Sequence, residues 1–365
     1  MSDEAGEPSD KRPRAVILGC AGERLTGEER RFFAAADPLG FILFRRNCRS
    51  RNQVRALVDE LRDSVRRADA PVLIDQEGGR VARLTRPEWR AYPAVARLAA
   101  LPDPLAVEAV RLDARLIADD LAEIGITVDC APVLDLPARD ADPVIGDRAF
   151  GSEPARVARL GRAFCEGLLA GGVLPVLKHI PGHGRARVDS HRACPVVESD
   201  RALLADSDFA PFRALSAMQW AVPGGTPWAM TAHIVFAAID DSAPATFSRR
   251  VIDTIIREEI GFGGVLLSDD IAMGALDGTL GERTRRALDA GCDMVLHCSG
   301  VMDEMAEIGD AAPPISAAAE ARIARGEALR LKSAESFDRR AAELRFAEVL
   351  ADTAGPAPDQ RRSRA

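Results

Sequence analysis

Val173-Leu174-Pro175-Val176-Leu177 runs straight into Lys178-His179-Ile180-Pro181-Gly182-His183-Gly184. An unbroken apolar run suits a strand buried on both faces, as in parallel sheets. Just upstream, Pro154–Ala170 has the periodicity of a helix. Together they read as a helix feeding a short strand that ends in polar residues. The rest of the chain repeats this unit. Further apolar runs lie at Ala15–Gly19, Gly40–Phe44, Val72–Ile74, Thr127–Cys130, Ala229–Thr231, Gly264–Leu267 and Met294–Leu296. Helical patterns between them cover about Asn52–Arg67, Arg201–Ala217, Arg249–Glu259 and Glu282–Ala290. In another, Val110, Ala114, Ile117, Leu121 and Ile124 recur at steps of three and four, giving one apolar face. Eight strands alternating with helices predict an α/β chain folded as a single (β/α)8 TIM barrel. A doubly wound open sheet is the competing architecture. No GxGxxG or P-loop spacing opens a βα unit, which weakens it.

The polar signals share one address. Asp75-Gln76-Glu77-Gly78-Gly79-Arg80 follows one apolar run, and Asp135 and Asp147-Arg148 follow another. Lys178-His179, His233 and Asp269 each follow a third, fourth and fifth. Barrel active sites are built at the carboxyl ends of strands, so these residues are expected in one mouth. Each has a plainer reading alone. A single Asp after a strand usually caps the next helix. Glu77-Gly78-Gly79 favours a loop over a helix start after Asp75. His183, in a tight Gly-flanked turn, is expected to be structural, and His297 and Cys298 to pack or sit at the rim.

The chain has 365 residues, is 47% hydrophobic and carries a formal charge of −8. That charge gives no global basic surface, which argues against nucleic acid as the main partner. The start is polar, with no apolar core of a signal peptide, and no apolar run approaches a membrane span. Seven cysteines show no CxxC pairing and read as reduced, mostly buried thiols of a cytoplasmic protein. The expected organisation is a polar tail over residues 1–13, the barrel over 14–350 and a flexible tail over 351–365.

Several motifs occur in a fixed order: Asp75-Gln76-Glu77-Gly78-Gly79-Arg80-Val81, Lys178–Gly184, Asp189-Ser190-His191, Met230-Thr231-Ala232-His233 and Ser268-Asp269-Asp270. In these the chain resembles the β-N-acetylhexosaminidases of glycoside hydrolase family 3, of the NagZ type that serves peptidoglycan recycling. The likeness runs from about Ala15 to Ser299. It implies a retaining exo-hydrolase that removes terminal β-linked N-acetylglucosamine from muropeptides. Asp269 would be the nucleophile, and His191 the general acid/base, partnered by Asp189. Asp75, Arg83, Arg148, Lys178 and His179 would hold the sugar hydroxyls. Neither a cofactor nor a metal is expected. The implied partner is a small carbohydrate, with no membrane and no obligatory protein.

The chemistry is coherent with those residues. Retaining hydrolysis needs a carboxylate to attack the anomeric carbon and an acid for the leaving oxygen. An imidazole titrates near neutrality, and its deprotonated form adds no second negative charge beside the nucleophile. Asp189, two residues before His191, can accept a ring N–H and fix the tautomer. Successive strand residues point to opposite sides, so Asp269 and Asp270 should not both aim into the mouth. The loop glycines are expected to let the Gly182–His191 segment swing. The family pattern is broken at Arg185-Ala186-Arg187-Val188. Lying just before His191, Arg185 and Arg187 are expected to meet an anionic aglycone. Three rival readings are a family 3 β-N-acetylglucosaminide phosphorylase, a metal-dependent barrel hydrolase using His179, His183 and His191, and a non-catalytic sugar-binding protein. Pro181 and Gly182 break the helix that a His-x3-His metal pair would need.

Overall fold

A computed structural model describes residues 12–351. The tails expected at 1–13 and 351–365 fall almost wholly outside the described residues. Eight parallel strands close a barrel: β1 (Arg14–Leu18), β2 (Pro38–Leu43), β3 (Val72–Ile74), β4 (Val128–Asp129), β5 (Leu174–Ile180), β6 (Trp228–Thr231), β7 (Leu266–Asp270) and β8 (Met294–His297). Each pairs with its sequence neighbours, and β1 closes the ring against β8 with Val16 opposite Val295. The (β/α)8 expectation therefore holds. A small two-stranded sheet, Val196–Val197 with Val235–Phe236, lies outside the barrel.

Alternation along the strands decides what faces the interior. Ile17, Leu73, Val176, Met230, Leu267 and Leu296 share one apolar cluster, the barrel core. Their neighbours Val16, Val72, Leu177, Ala229, Leu266 and Val295 pack into the cluster formed with the helices. Steps of two from the interior residues reach Asp75, Lys178 and Asp269. The same parity that fills the barrel with Val and Leu thus aims polar side chains into its mouth.

The helix Ala317–Ser333 crosses the amino-terminal ends of the strands. Ala319 and Leu329 join the interior cluster alongside Leu174 and Trp228. A Cβ at Gly326 would stand 2.9 Å from Trp228 Nε1, so glycine allows that close approach. With this end plugged, the opening lies at the carboxyl ends.

Three details differ from the sequence reading. β5 continues to Ile180 and β7 to Asp270, so Lys178, His179 and Asp269 sit within strands and not after them. The reason for β5 is burial with backbone partners still available. Lys178 N donates to Pro132 O at 3.2 Å, and Leu134 N donates to Lys178 O at 2.7 Å. The helix expected over Arg201–Ala217 is two pieces, Arg201–Asp206 and Ala210–Ser216. Between them Asp208 turns inward and is buried against Arg185. The Val251–Glu259 segment winds as a π-helix. Among the described residues the seven cysteines form no disulfide, and Cys20, Cys130, Cys165 and Cys292 are buried. No described helix is long and apolar enough to cross a membrane.

Candidate active site

A cavity of about 360 Å³ opens at the carboxyl ends of the strands. Its floor is an ion network. Lys178 Nζ lies 2.6 Å from Glu77 Oε1 and 3.1 Å from Asp75 Oδ1. Arg148 grips Glu77 with two bonds of 2.8 Å, and Arg83 donates to Asp75 Oδ2 at 2.8 Å. Bidentate guanidinium–carboxylate pairs are strong and directional. Burial alone would raise the Asp75 pKa, but Lys178 and Arg83 pull it far below the carboxylate range. Burial is offset in the same way at Glu77, where Lys178 and Arg148 lower the pKa to about 2. In return, Glu77 and Asp75 outweigh burial at Lys178 and keep it a cation. The Glu77 loop holds its shape through Gly78 (φ +93°), where a Cβ would collide with Pro93 O at 2.4 Å. That loop is no helix start, as the sequence suggested.

Behind Lys178 stands a buried carboxylate–imidazole pair. His179 Nδ1 meets Asp135 Oδ2 at 2.7 Å, leaving Nε2 to the cavity. Asp135 Oδ1 also accepts the backbone N–H groups of His179 (3.1 Å) and His183 (2.7 Å). The His183 ring reaches Ser190 Oγ at 2.9 Å. It holds the Ser190 side chain, a structural contact. Burial, aided by His179, lowers its pKa to about 4, so the ring is neutral at neutral pH.

Asp269 and Asp270 both border the cavity, yet they are held differently. Asp269 Oδ1 accepts the N–H of Asp270 at 2.8 Å. Its other oxygen has no hydrogen-bond partner among the described residues. Burial would raise its pKa; His179, His233, the Asp270 N–H and Lys178 together bring it below the ordinary value. Asp270 accepts the Ala272 N–H at 3.0 Å and faces His297 Nδ1 at 3.6 Å. It braces the turn after β7, yet it too borders the cavity, where strand parity led to the expectation of only one of the two. His297 is fully buried, with Ser299 Oγ 2.8 Å from its Nε2, and Cys298 borders the cavity.

On the rim, His191 Nδ1 meets Asp189 Oδ1 at 2.7 Å, and the His191 side chain is 64% exposed. Burial slightly opposes ionisation of Asp189, but the backbone and ring N–H groups of His191 outweigh it and lower its pKa. One glycine of the loop before this pair packs against backbone. A Cβ at Gly184 would fall 2.0 Å from Leu136 O, and Ala138 N donates to Gly184 O at 2.8 Å. Gly184 thus serves close backbone approach, whereas Gly182 takes a φ of +139° that favours glycine. The two loop arginines are also engaged elsewhere. Arg185 donates to buried Asp208 at 2.6 Å and to Ser207 Oγ at 3.0 Å. Arg187 pairs with Asp140 at 2.5 Å, and neither arginine lines the cavity. The aglycone role expected of them is not supported by this geometry.

The fold thus gathers Asp75, Arg83, Arg148, Lys178, His179, His191 and Asp269 around one cavity. Sequence reasoning placed Glu77 and Asp135 in the mouth but gave neither of them a role in the site. Charge counting pointed to Glu77: Arg83, Arg148 and Lys178 are three cations, and Asp75 is one anion. Asp135 stood out as a lone acid within Ala131-Pro132-Val133-Leu134-Asp135-Leu136. Among the described residues, no three His, Cys, Asp or Glu side chains are arranged to hold a metal ion.

Residues 23–325 match the glycosyl hydrolase family 3 N terminal domain. The chain is 41% identical over 289 residues to a beta-hexosaminidase of Alkalilimnicola ehrlichii, covering 78% of this chain and 80% of that one. It is 38% identical over 289 residues to a beta-hexosaminidase of Pseudomonas aeruginosa, covering 78% and 82%. Among solved structures, native NagZ from Neisseria gonorrhoeae superposes with a TM-score of 0.78 at 32% identity, covering 94% of this chain and 98% of that one. The same NagZ is also known in complex with N-trifluoroacetyl-D-glucosamine. The chain belongs to glycosyl hydrolase family 3 and is a glycoside hydrolase of its β-hexosaminidase group.

Proposed function

We propose that the chain is a retaining exo-β-N-acetylglucosaminidase acting on N-acetylglucosamine-terminated muropeptides in cytoplasmic cell-wall recycling, with residues 14–350 as one catalytic unit. The observation that carries this is the state of Asp269. Of the four carboxylates bordering the cavity, Asp75 and Glu77 are neutralised by cations and Asp270 is turned to Ala272 N and His297. Asp269 has no ion pair among the described residues and keeps one oxygen bare. A nucleophile needs that freedom. The muropeptide aglycone comes from the motif resemblance, and N-acetylglucosamine is supported by the sugar analogue bound to the Neisseria relative.

In the first step Asp269 attacks the anomeric carbon as the glycosidic C–O bond breaks. The leaving oxygen takes its proton from His191 Nε2, while Asp189 stabilises the imidazolium through Nδ1–H. In the second step His191 takes a proton from water, which attacks the same carbon and releases Asp269. Asp75, Glu77, Arg148, Lys178 and the free Nε2 of His179 supply donors and acceptors for the hydroxyls of one sugar. The test compares 4-nitrophenyl β-N-acetylglucosaminide with the β-glucoside, following the anomer first released by NMR. Turnover of the N-acetyl substrate with β-product first supports the proposal. Preference for the glucoside, or α-product, overturns it.

A further inference from the structure

The backbone of Ser190-His191 is fastened to the turn that leaves β7. Gly274 N donates to His191 O at 3.2 Å, and Ala275 N donates to Ser190 O at 3.1 Å. From the other side, His183 Nε2 holds Ser190 Oγ at 2.9 Å. These are the bonds that tie residues 188–193 to the rest of the described protein. The others are local: the backbone and ring N–H bonds of His191 to Asp189 Oδ1, and Asp189 O accepting from Arg192 N at 2.9 Å and Ala193 N at 3.2 Å. Local bonds travel with the loop and cannot place it.

The turn itself is stiff. Ala272 N donates to Asp270 Oδ1 at 3.0 Å and Met273 N to Asp270 O at 3.1 Å. Arg283 donates to Ile271 O at 2.9 Å and Met273 O at 3.3 Å. A Cβ at Gly274 would lie 2.9 Å from His191 O and 3.0 Å from Arg192 O. Both are backbone atoms and cannot rotate aside. Gly274 is not among the glycines with positive φ, so its backbone does not demand glycine. Its contact with the loop does.

We infer that the turn 272–275 is a docking shelf that fixes His191 relative to Asp269, with Gly274 as the positioning residue. This rests on the reading of His191 as acid/base. The shelf grows from the nucleophile's own strand, so one strand and the turn that leaves it carry both the attacking group and the support of the proton donor. An imidazole that is 64% exposed has little packing to place it, and the shelf replaces that packing.

The test measures kcat/KM, which reports formation of the glycosyl-enzyme, on methyl and 4-nitrophenyl β-N-acetylglucosaminides. The first leaving group needs a proton and the second barely does. Misplacement by about 1 Å can cost on the order of a hundredfold. Gly274→Ala is expected to lose about tenfold on the methyl glycoside and less than about threefold on the aryl one, with Gly274→Val losing more in the same pattern. Ser190→Ala, which adds no bulk, should show the same selectivity more weakly, and it serves if the glycine variants do not fold. His191→Ala is run alongside. Selective loss there but equal or no loss in the Gly274 and Ser190 variants overturns the shelf alone. Absence of selectivity in His191→Ala overturns the acid/base reading and the shelf with it.

Discussion

The imidazoles of two carboxylate–imidazole pairs border the cavity, each pair closed by a bond of 2.7 Å. Asp135 and His179 are buried, at 0% and 7% side-chain exposure; Asp189 and His191 stand at 28% and 64%. Asp135 also holds two backbone N–H groups, so its pair is part of the barrel's framework. Asp189 bonds only the residues next to it in the chain, so its pair is an attachment to the rim. The bond is the same, and the surroundings differ. A ring locked by burial suits holding a hydroxyl. A ring open to solvent can exchange its proton each turnover.

In the proposed mechanism both pairs act around Asp269, so its loss should be the largest effect. Asp269→Ala is expected to lower turnover at least about a thousandfold without unfolding the protein, read by steady-state rates beside circular dichroism. Next, His191→Ala should cost about a hundredfold or more on the methyl glycoside and far less on the 4-nitrophenyl glycoside. Asp189→Asn should follow the same pattern more mildly. The buried pair should behave otherwise. Asp135→Asn is expected to slow both substrates alike and to lower stability by about 2–4 kcal/mol, because buried partners are left mismatched. Leaving-group selectivity in Asp135→Asn would erase the distinction between the pairs.

The contrast extends to pH. His183, on the buried side, has its pKa lowered from 6.5 to about 4 by burial and by His179. Between those values the unfolded chain binds a proton that the folded protein does not. Stability should therefore fall as pH drops from 6.5 towards 4, and be fully present above 6.5. Denaturant titrations at pH 7 and pH 4.5 should show a smaller difference in His183→Gln. An unchanged difference would place the acid sensitivity elsewhere. The smallest effect is expected from Arg187, whose pair with Asp140 is 70% and 62% exposed. Arg187→Ala should change stability by less than about 0.5 kcal/mol and leave KM for muropeptides unchanged. A raised KM would restore the arginine to the aglycone.

The buried side was the more legible in sequence, for a physical reason. Alternation and apolar runs report burial, so all eight strands and the inward aim of Asp75, Lys178 and Asp269 could be read from residue order. What escaped were partnerships. Nothing in the spacing says that Arg148 spends its fork on Glu77, or that Asp135 closes on His179, because these contacts join different strands. The break in the expected helix over Arg201–Ala217 is of the same kind, set by Asp208 turning to Arg185. On the rim, Asp189-Ser190-His191 was legible because its contact is local. The close approach of Gly184 to Leu136 was not legible, because glycine has the same letter whether it serves motion or close approach.

The central claim is that Asp269, and not its neighbour, carries the sugar between the two steps. An activated fluorinated N-acetylglucosaminide that slows the second step should trap the intermediate, and fragmentation of the labelled peptide then locates the ester. The sugar is expected on Asp269, with no label in Asp269→Ala. A label on Asp270, or turnover without any trapped ester, would contradict the account.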